Sequence, residues 1–273
     1  MSIFRSSNHT SIFLCWVAWA SMITINALAN ILPINGYNTG QISAFYPNMF
    51  VPAGFTFSIW GIIYLLLFAY NITVTIYLSK SSLAGHTAQE YMHRINRLYW
   101  WSCVLNMLWI VCWHYLQAAL SLLVMLLLLL TLIRLFLNGR KGIRMFPLWL
   151  QTLLIAPFTV YLGWISVATI ANVTAYLVKI NWTGGPLEPE IWSAVMITVA
   201  IVLSLFMLLR FRIAGFPLTI AWALWGIRAA QGPQSELLWR ISSVGVICLL
   251  VVVFIERIVT YFFTSNNFKT IGW

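Results

Sequence analysis

The chain carries few side chains that could perform acid–base or metal chemistry. It has no aspartate and five glutamates, four of which lie between apolar segments while Glu256 precedes Arg257 near the end of the last one. General acid–base catalysis needs a positioned carboxylate, histidine or similar group, and coupled ion transport needs ionisable groups at membrane depth. We interpret Glu256 and Arg257 as an interfacial or interhelical pair. His114 and Cys112 are the other candidates, but residues two apart do not face together on a helix. No catalytic residue and no metal ligand is predicted.

A second group of candidates is polar and aromatic but uncharged. Tyr161, Trp164, Ala168 and Asn172 lie inside a long apolar segment. At about 100° per helical residue, they share a sector about 80° wide. An amide without a partner costs several kcal/mol in lipid, so this face is expected to point inward, at other helices or at a ligand.

Three earlier apolar segments repeat this combination of aromatic rings with an amide on one helical face. The three faces are Trp16, Trp19, Ile23, Asn26 and Asn30; Phe57, Trp60, Tyr64, Phe68 and Asn71; and Tyr99, Ser102, Asn106, Trp109, Trp113 and Gln117.

Two structural explanations compete with a ligand pocket. Tryptophans near helix ends often form interfacial belts, and buried amides often form interhelical hydrogen bonds of about 0.6 kcal/mol. Trp60, Trp109 and Trp164, however, lie several residues inside their segments. Converging indoles need something flat to pack on, so we interpret these faces as the walls of an uncharged aromatic pocket.

The composition defines the class of protein. Hydrophobic residues make up 62% of the 273 residues and charged residues only 7%, against about 25% charged in soluble domains. The four cysteines lie in apolar segments without a CxxC motif and are expected to be small hydrophobic residues. The net charge of +10 comes from basic residues in short loops, a pattern typical of membrane orientation and not of nucleic-acid binding.

Runs of about 20 apolar residues are long enough to cross a bilayer, which predicts an all-α, polytopic transmembrane helix bundle. The eight predicted spans are 11–33, 53–78, 97–117, 119–138, 147–178, 191–210, 213–229 and 238–262. The seventh is short, with Gly215 and Pro217 near its start, and its alternative is a re-entrant or interfacial segment. Placing both termini inside puts twelve of the fifteen basic residues on the cytoplasmic side, which favours this orientation. Compact loops favour a bacterial inner (plasma) membrane.

The first predicted outer loop, residues 34–51, has no charged residue and is rich in Asn, Gly, Tyr and Pro. Flexible tails usually carry more charge. We therefore consider an ordered lid and a plain connector as equal alternatives.

Three of the segments together resemble the tryptophan-rich sensory protein / translocator protein (TspO/MBR) family. The fifth-span pattern Tyr-x-x-Trp-x-Ser-x-Ala-Thr-x-x-Asn is matched by Tyr161, Trp164, Ser166, Ala168, Thr169 and Asn172. The third-span pattern Leu-Asn-x-x-Trp is matched by Leu105, Asn106 and Trp109, and the second-span entry by Pro52, Gly54, Phe57, Trp60 and Tyr64. The resemblance covers roughly residues 10–180.

The chain also departs from the family pattern. Val160 stands where a proline usually precedes the tyrosine, and the spacing from Phe57 to Trp60 is one residue shorter than in five-helix members. We therefore expect a TspO/MBR-like five-helix unit over residues 1–180, followed by about three additional helices of the same membrane domain over 181–273.

The resemblance implies a pocket that opens toward the first loop and binds a flat apolar ligand of the tetrapyrrole or sterol class. Carried onto this chain, the pocket residues are Trp60, Tyr64, Asn106, Trp109, Tyr161, Trp164 and Ala168. Asn172 is added because it shares the helical face of Tyr161, Trp164 and Ala168. Ala168 would matter for its small size. No resident cofactor is expected beyond a tetrapyrrole as ligand, and the expected partners are membrane lipid and this ligand. Family members often dimerise, so a homodimer is a further expectation. Sensing and carriage both remain open, and a small-solute carrier is the alternative function.

Overall fold

The computed structural model describes residues 2–79 and 85–269, and their regular structure is helical. The helices are α1 (Ser2–Ile31), α2 (Thr39–Ala44), α3 (Ile59–Ser79), α4 (His86–His114), α5 (Ala118–Arg140), α6 (Leu148–Lys179), α7 (Pro189–Phe211), α8 (Gly215–Gln231) and α9 (Glu236–Lys269). Short 3-10 turns occupy Ile34–Gly36, Gly54–Ser58 and Ile143–Met145. The prediction of an all-α bundle is confirmed.

Each of the eight predicted spans corresponds to a helix, but two of these helices differ from the rest. Six segments of the described chain are long and apolar enough to cross a bilayer: Asn8–Ile31, Gly54–Ser79, Ala118–Arg140, Leu148–Lys179, Pro189–Phe211 and Glu236–Phe262. The other two predicted spans lie in α4 and α8. Helix α4 begins at His86, eleven residues before the predicted start at residue 97, and its first part carries Glu90, Arg94 and Arg97. Helix α8 has only 17 residues.

The chain divides into two compact units, and the first comprises Met1–Asn48 and Phe57–Thr183. In this unit α6 contacts α3 and α5, α4 contacts α1 and α5, and α1 contacts α3. Of the apolar window in α6, 61% of residues are buried, against 28–39% in the other five candidate spans. The stretch from Tyr161 to Asn172, which first suggested an inward-facing surface, therefore belongs to the most buried of these helices.

The loop after α1 contains an ordered element in the part that belongs to this unit. Asn38 accepts a hydrogen bond from the backbone of Gln41, and the Gln41 side chain accepts one from the backbone of Asn38, each at 2.9 Å. This reciprocal capping box defines the start of the six-residue helix α2. The loop is thus structured locally, as the ordered-lid alternative requires.

The second unit comprises Met49–Thr56 and Gly184–Trp273, and within it α7, α8 and α9 contact one another. The short segment Met49–Thr56 lies against α8. The backbone N–H of Ala53 donates to the carbonyl of Gly226 at 3.0 Å, and the side-chain amide of Gln231 donates to the carbonyl of Val51 at 2.9 Å. The indole of Trp222 donates to the carbonyl of Thr56 at 3.0 Å.

The ionisable pair expected near the end of the last span is also present in the second unit. Arg257 Nε lies 2.7 Å from Glu256 Oε2, and the guanidinium also donates to the carbonyl of Arg212, just after α7, at 2.7 Å. The pair therefore links α9 to the end of α7, which is an interhelical structural role.

Candidate functional site

The predicted site residues of α3, α4 and α6 meet around Trp60. Its ring centroid lies 5.7 Å from that of Tyr64 and 6.2 Å from that of Trp109, both in near-parallel stacks. Tyr161 and Trp164 approach the same indole edge-on, with centroids at 5.8 Å and 6.3 Å. These geometries are the ones that aromatic quadrupoles favour. We call these five rings the aromatic cluster.

The aromatic cluster is closely packed and uncharged. Trp60 is 9% exposed, Trp109 4%, Trp164 3% and Tyr161 0%, while Tyr64 is half-buried. The rings fill the space between the three helices, so a ligand that enters here must displace at least one ring contact.

Three polar atoms beside these rings are buried without a hydrogen-bond partner among the described residues: Tyr64 Oη, Tyr161 Oη and Asn106 Nδ2. Tyr161 lies close to Asn106, but the two groups do not reach hydrogen-bond geometry. A buried donor without a partner is costly, and native structures contain few of them. All three atoms can donate a hydrogen, so the cluster favours a ligand that carries an acceptor.

The oxygen of Asn106 is held by α1. Asn26 Nδ2 donates to Asn106 Oδ1 at 2.8 Å, which fixes the amide orientation and leaves Asn106 Nδ2 without a partner. Asn26 lies on a predicted aromatic–amide face but was not among the predicted site residues. Trp16 and Trp19, on the same face, donate to Thr75 Oγ1 and to the Tyr64 carbonyl of α3.

Asn172 connects three helices next to the cluster. Its side-chain oxygen accepts from the Trp109 indole at 3.2 Å and from the Ser121 hydroxyl at 2.7 Å. Its amide nitrogen donates to the carbonyl of Ala168 at 2.8 Å. Ala168 is half-buried and contributes this carbonyl. The sequence did not predict Ser121 as a site residue; the signal was a hydroxyl at the start of an otherwise leucine-rich helix.

A line of rings continues from the cluster to the loop after α1. Trp113 stacks on Trp109 at 6.2 Å, and Tyr46 lies 5.6 Å from Trp113. Tyr46 lies in the loop and is 7% exposed. Its burial raises the pKa of the phenol above the usual value, so the hydroxyl stays neutral.

His114, which the sequence left as a weak candidate for chemistry, has a structural role at the end of α4. Its Nδ1 lies 3.1 Å from the Ile34 carbonyl and its Nε2 lies 3.1 Å from Thr39 Oγ1. The carbonyl can only accept, so Nδ1 carries the hydrogen and Nε2 accepts from the Thr39 hydroxyl. In the part of the chain that the structure describes, no three His, Cys, Asp or Glu side chains gather as a metal site requires.

The sequence pattern of the TSPO-like protein family matches residues 12–255. The chain belongs to this family. No curated protein and no solved structure gives a significant match. The match reaches beyond residues 10–180, where the motifs were found, and includes α7, α8 and most of α9. Together with the six apolar helices, membership makes this TSPO-like chain an integral, multi-pass membrane protein surrounded by lipid.

Proposed function

We propose that this TSPO-like protein binds a flat, apolar ligand with at least one hydrogen-bond acceptor at the aromatic cluster. The observation that carries the proposal is the combination of the five rings of the aromatic cluster with three buried polar atoms that lack partners. Rings provide stacking surface for a planar molecule, and the unpartnered donors provide orientation. The absence of charged residues from the cluster favours a neutral ligand core.

The tetrapyrrole and sterol classes both meet these requirements. A tetrapyrrole presents a planar ring with acceptor nitrogens and carboxylates, and a sterol presents a rigid apolar body with one hydroxyl. The near-parallel pair of Trp60 and Trp109 favours the planar ring, because flat surfaces stack with the larger contact area. Binding supports a sensing or carrying role, and the compact loops of the chain favour a bacterial plasma membrane as the host.

The ligand would reach the cluster along the line of rings that ends at Tyr46. Trp109, Trp113 and Tyr46 form consecutive ring contacts, and the loop that carries Tyr46 is attached to α4 through His114. Opening of this loop would expose Trp113 first, and Trp109 only after it.

The test is a fluorescence titration of the purified protein with protoporphyrin. We expect saturable quenching of tryptophan emission with a dissociation constant in the micromolar range, about −8 kcal/mol. Trp164→Ala and Trp109→Ala should each weaken binding by about tenfold or more, because each removes a large stacking surface. Trp149→Ala is the matched control, because Trp149 lies on the same helix as Trp164 but is 64% exposed.

Two outcomes would contradict the proposal. The first is quenching that does not saturate in the unsubstituted protein. The second is an equal loss of affinity in Trp149→Ala and Trp164→Ala, which would indicate non-specific partition of the porphyrin. Saturable uptake of a charged solute into proteoliposomes, without porphyrin binding, would instead favour the carrier alternative.

A further inference from the structure

A groove with unusual chemistry lies in the second unit where α8 ends and α9 begins. It has a volume of about 510 Å³. Its walls are formed by Trp225, Arg228, Ala229, Gly232, Pro233 and Trp239.

The lining side chains of this groove can only donate hydrogen bonds. The guanidinium and the two indoles carry N–H donors, and alanine, glycine and proline side chains carry no polar atom. Arg228 Cζ lies 5.1 Å from the ring centroid of Trp239, within cation–π range. No carboxylate in the described chain pairs with Arg228, whereas Arg240 pairs with Glu236 at 2.5 Å. The groove thus presents a positive charge and donors without a compensating anion.

Gly232 sets the width of the groove. A Cβ at this position would lie 2.7 Å from Trp239 Cδ1 and 2.5 Å from the Arg228 carbonyl oxygen. Both distances are far below van der Waals contact, so glycine is what lets the Trp239 indole close against the end of α8. The close approach of Trp239 to Gly232 places the indole beside the last turn of α8, which carries Arg228.

The position of the groove at the start of the α9 span matches the depth expected of lipid headgroups. The apolar span of α9 starts at Glu236, and Trp239 is in the first turn of that span. Trp225 and Trp239 are 48% and 43% exposed, which is typical of tryptophans at a membrane–water interface. Arginine matches phosphate geometry with its planar fork of donors and is only weakly hydrated.

We propose that this groove binds the phosphate group of a membrane phospholipid, with Arg228 as the charge partner and the indoles of Trp225 and Trp239 as donors and apolar walls. A quaternary ammonium group, which paired tryptophans also attract, is disfavoured here because the guanidinium already occupies the face of Trp239. The site belongs to the second unit and does not depend on the ligand proposed for the aromatic cluster.

Native mass spectrometry of the detergent-purified full chain tests this assignment. The protein is titrated with phosphatidylglycerol, with diacylglycerol of the same acyl chains, and with glycerol phosphate. We expect saturable retention of one phosphatidylglycerol and much weaker binding of the other two. Arg228→Gln should weaken retention by about tenfold or more, since a hydrogen bond to a charged group is lost.

Arg240→Gln is the matched control. It removes the same charge from the same loop region, but Arg240 does not line the groove, so retention should change by less than about twofold. Trp239→Phe keeps an aromatic ring beside Arg228 but removes the indole N–H together with the five-membered ring, and a loss of about threefold is expected. If Arg228→Gln does not fold, the loss of phosphatidylglycerol in Trp239→Phe tests whether the groove is the binding site.

Three results would overturn the assignment. Equal retention of diacylglycerol would show that the phosphate is not recognised, and equal losses in the two arginine variants would show a general charge effect. Glycerol phosphate that binds as tightly as the lipid would show that the ligand is a soluble phosphate.

Discussion

The Trp109 indole on α4 donates a hydrogen bond to the side-chain oxygen of Asn172 on α6, with 3.2 Å between nitrogen and oxygen. Ser121 on α5 donates to the same oxygen, so both acceptor positions of the amide are used. Asn172 therefore orients Trp109 within the aromatic cluster and connects three helices.

Replacing Asn172 by leucine should lower the free energy of unfolding by about 1–3 kcal/mol, because two buried donors lose their acceptor. The change is measurable as a lower melting temperature of the protein in detergent. Asn138→Leu is the control, since Asn138 only donates to the carbonyl of Arg134 in its own helix, and a change within about 0.5 kcal/mol is expected. Equal losses of stability in the two variants would show that the Asn172 side chain does not stabilise the contact between the three helices.

The hydroxyl of Tyr161 offers a way to separate stability from binding. It is buried and unpartnered, so Tyr161→Phe should leave the melting temperature unchanged or raise it, while it weakens porphyrin binding by about tenfold. Tyr70→Phe should do the opposite. The Tyr70 hydroxyl donates to Asn96 Oδ1 at 2.7 Å, and its loss should cost about 1 kcal/mol without changing the porphyrin affinity.

This comparison combines thermal melting with the protoporphyrin titration. A marked loss of stability in Tyr161→Phe would mean that the hydroxyl has a partner in the folded protein. An unchanged affinity would remove it from the ligand site.

The sequence predicted those features that depend on local pattern. Apolar length located the helices, and the helical period placed Trp60, Trp109 and Trp164 on inward faces that meet in the structure. Apolar length and helical period can both be read within a single segment. The buried face of a helix follows the 3.6-residue period whichever helix it packs against.

The features that the sequence did not predict depend on distant pairings. Helix α4 extends back to His86 because its first turns are amphipathic: Tyr91 and Met92 are buried, while the charged residues of the same turns are exposed. Apolar length did not indicate these turns because their overall composition is polar. The Ser121–Asn172 hydrogen bond joins residues 51 positions apart. The sequence of α5 alone does not indicate which of its hydroxyl groups will face an amide on another helix.

The attachment of the loop to α4 through His114 should be measurable by hydrogen exchange. His114→Leu removes the bonds to Ile34 and Thr39, so amide exchange over residues 34–44 should speed up by about tenfold for every 1.4 kcal/mol lost. Thr39→Val removes only one of the two bonds and should have a smaller effect. Tyr115→Phe, at an adjacent residue that is 56% exposed, should leave exchange unchanged. Unchanged exchange in His114→Leu would show that other contacts hold the loop.

Gly226 should be intolerant of any side chain, because the segment Met49–Thr56 packs directly on it. A Cβ at Gly226 would lie 2.0 Å from Thr56 Cγ2 and 3.1 Å from Pro52 Cβ. We expect Gly226→Ala to cost about 1–3 kcal/mol through overpacking and to speed hydrogen exchange over residues 49–56. Gly61→Ala is the control, since nothing lies within 4 Å of a Cβ at that helical glycine, and it should not destabilise the protein.

The double variant Gly226→Ala with Thr56→Ser identifies the contact itself. Serine lacks the methyl group that the new Cβ would meet, but keeps the hydroxyl that hydrogen-bonds to the carbonyl of Ala53. The double variant should therefore recover at least half of the stability lost in Gly226→Ala, a non-additivity expected only for side chains in direct contact. If the two substitutions add independently, the segment is not seated on α8 through this pair, and its hydrogen bonds with Gly226, Trp222 and Gln231 must hold it instead.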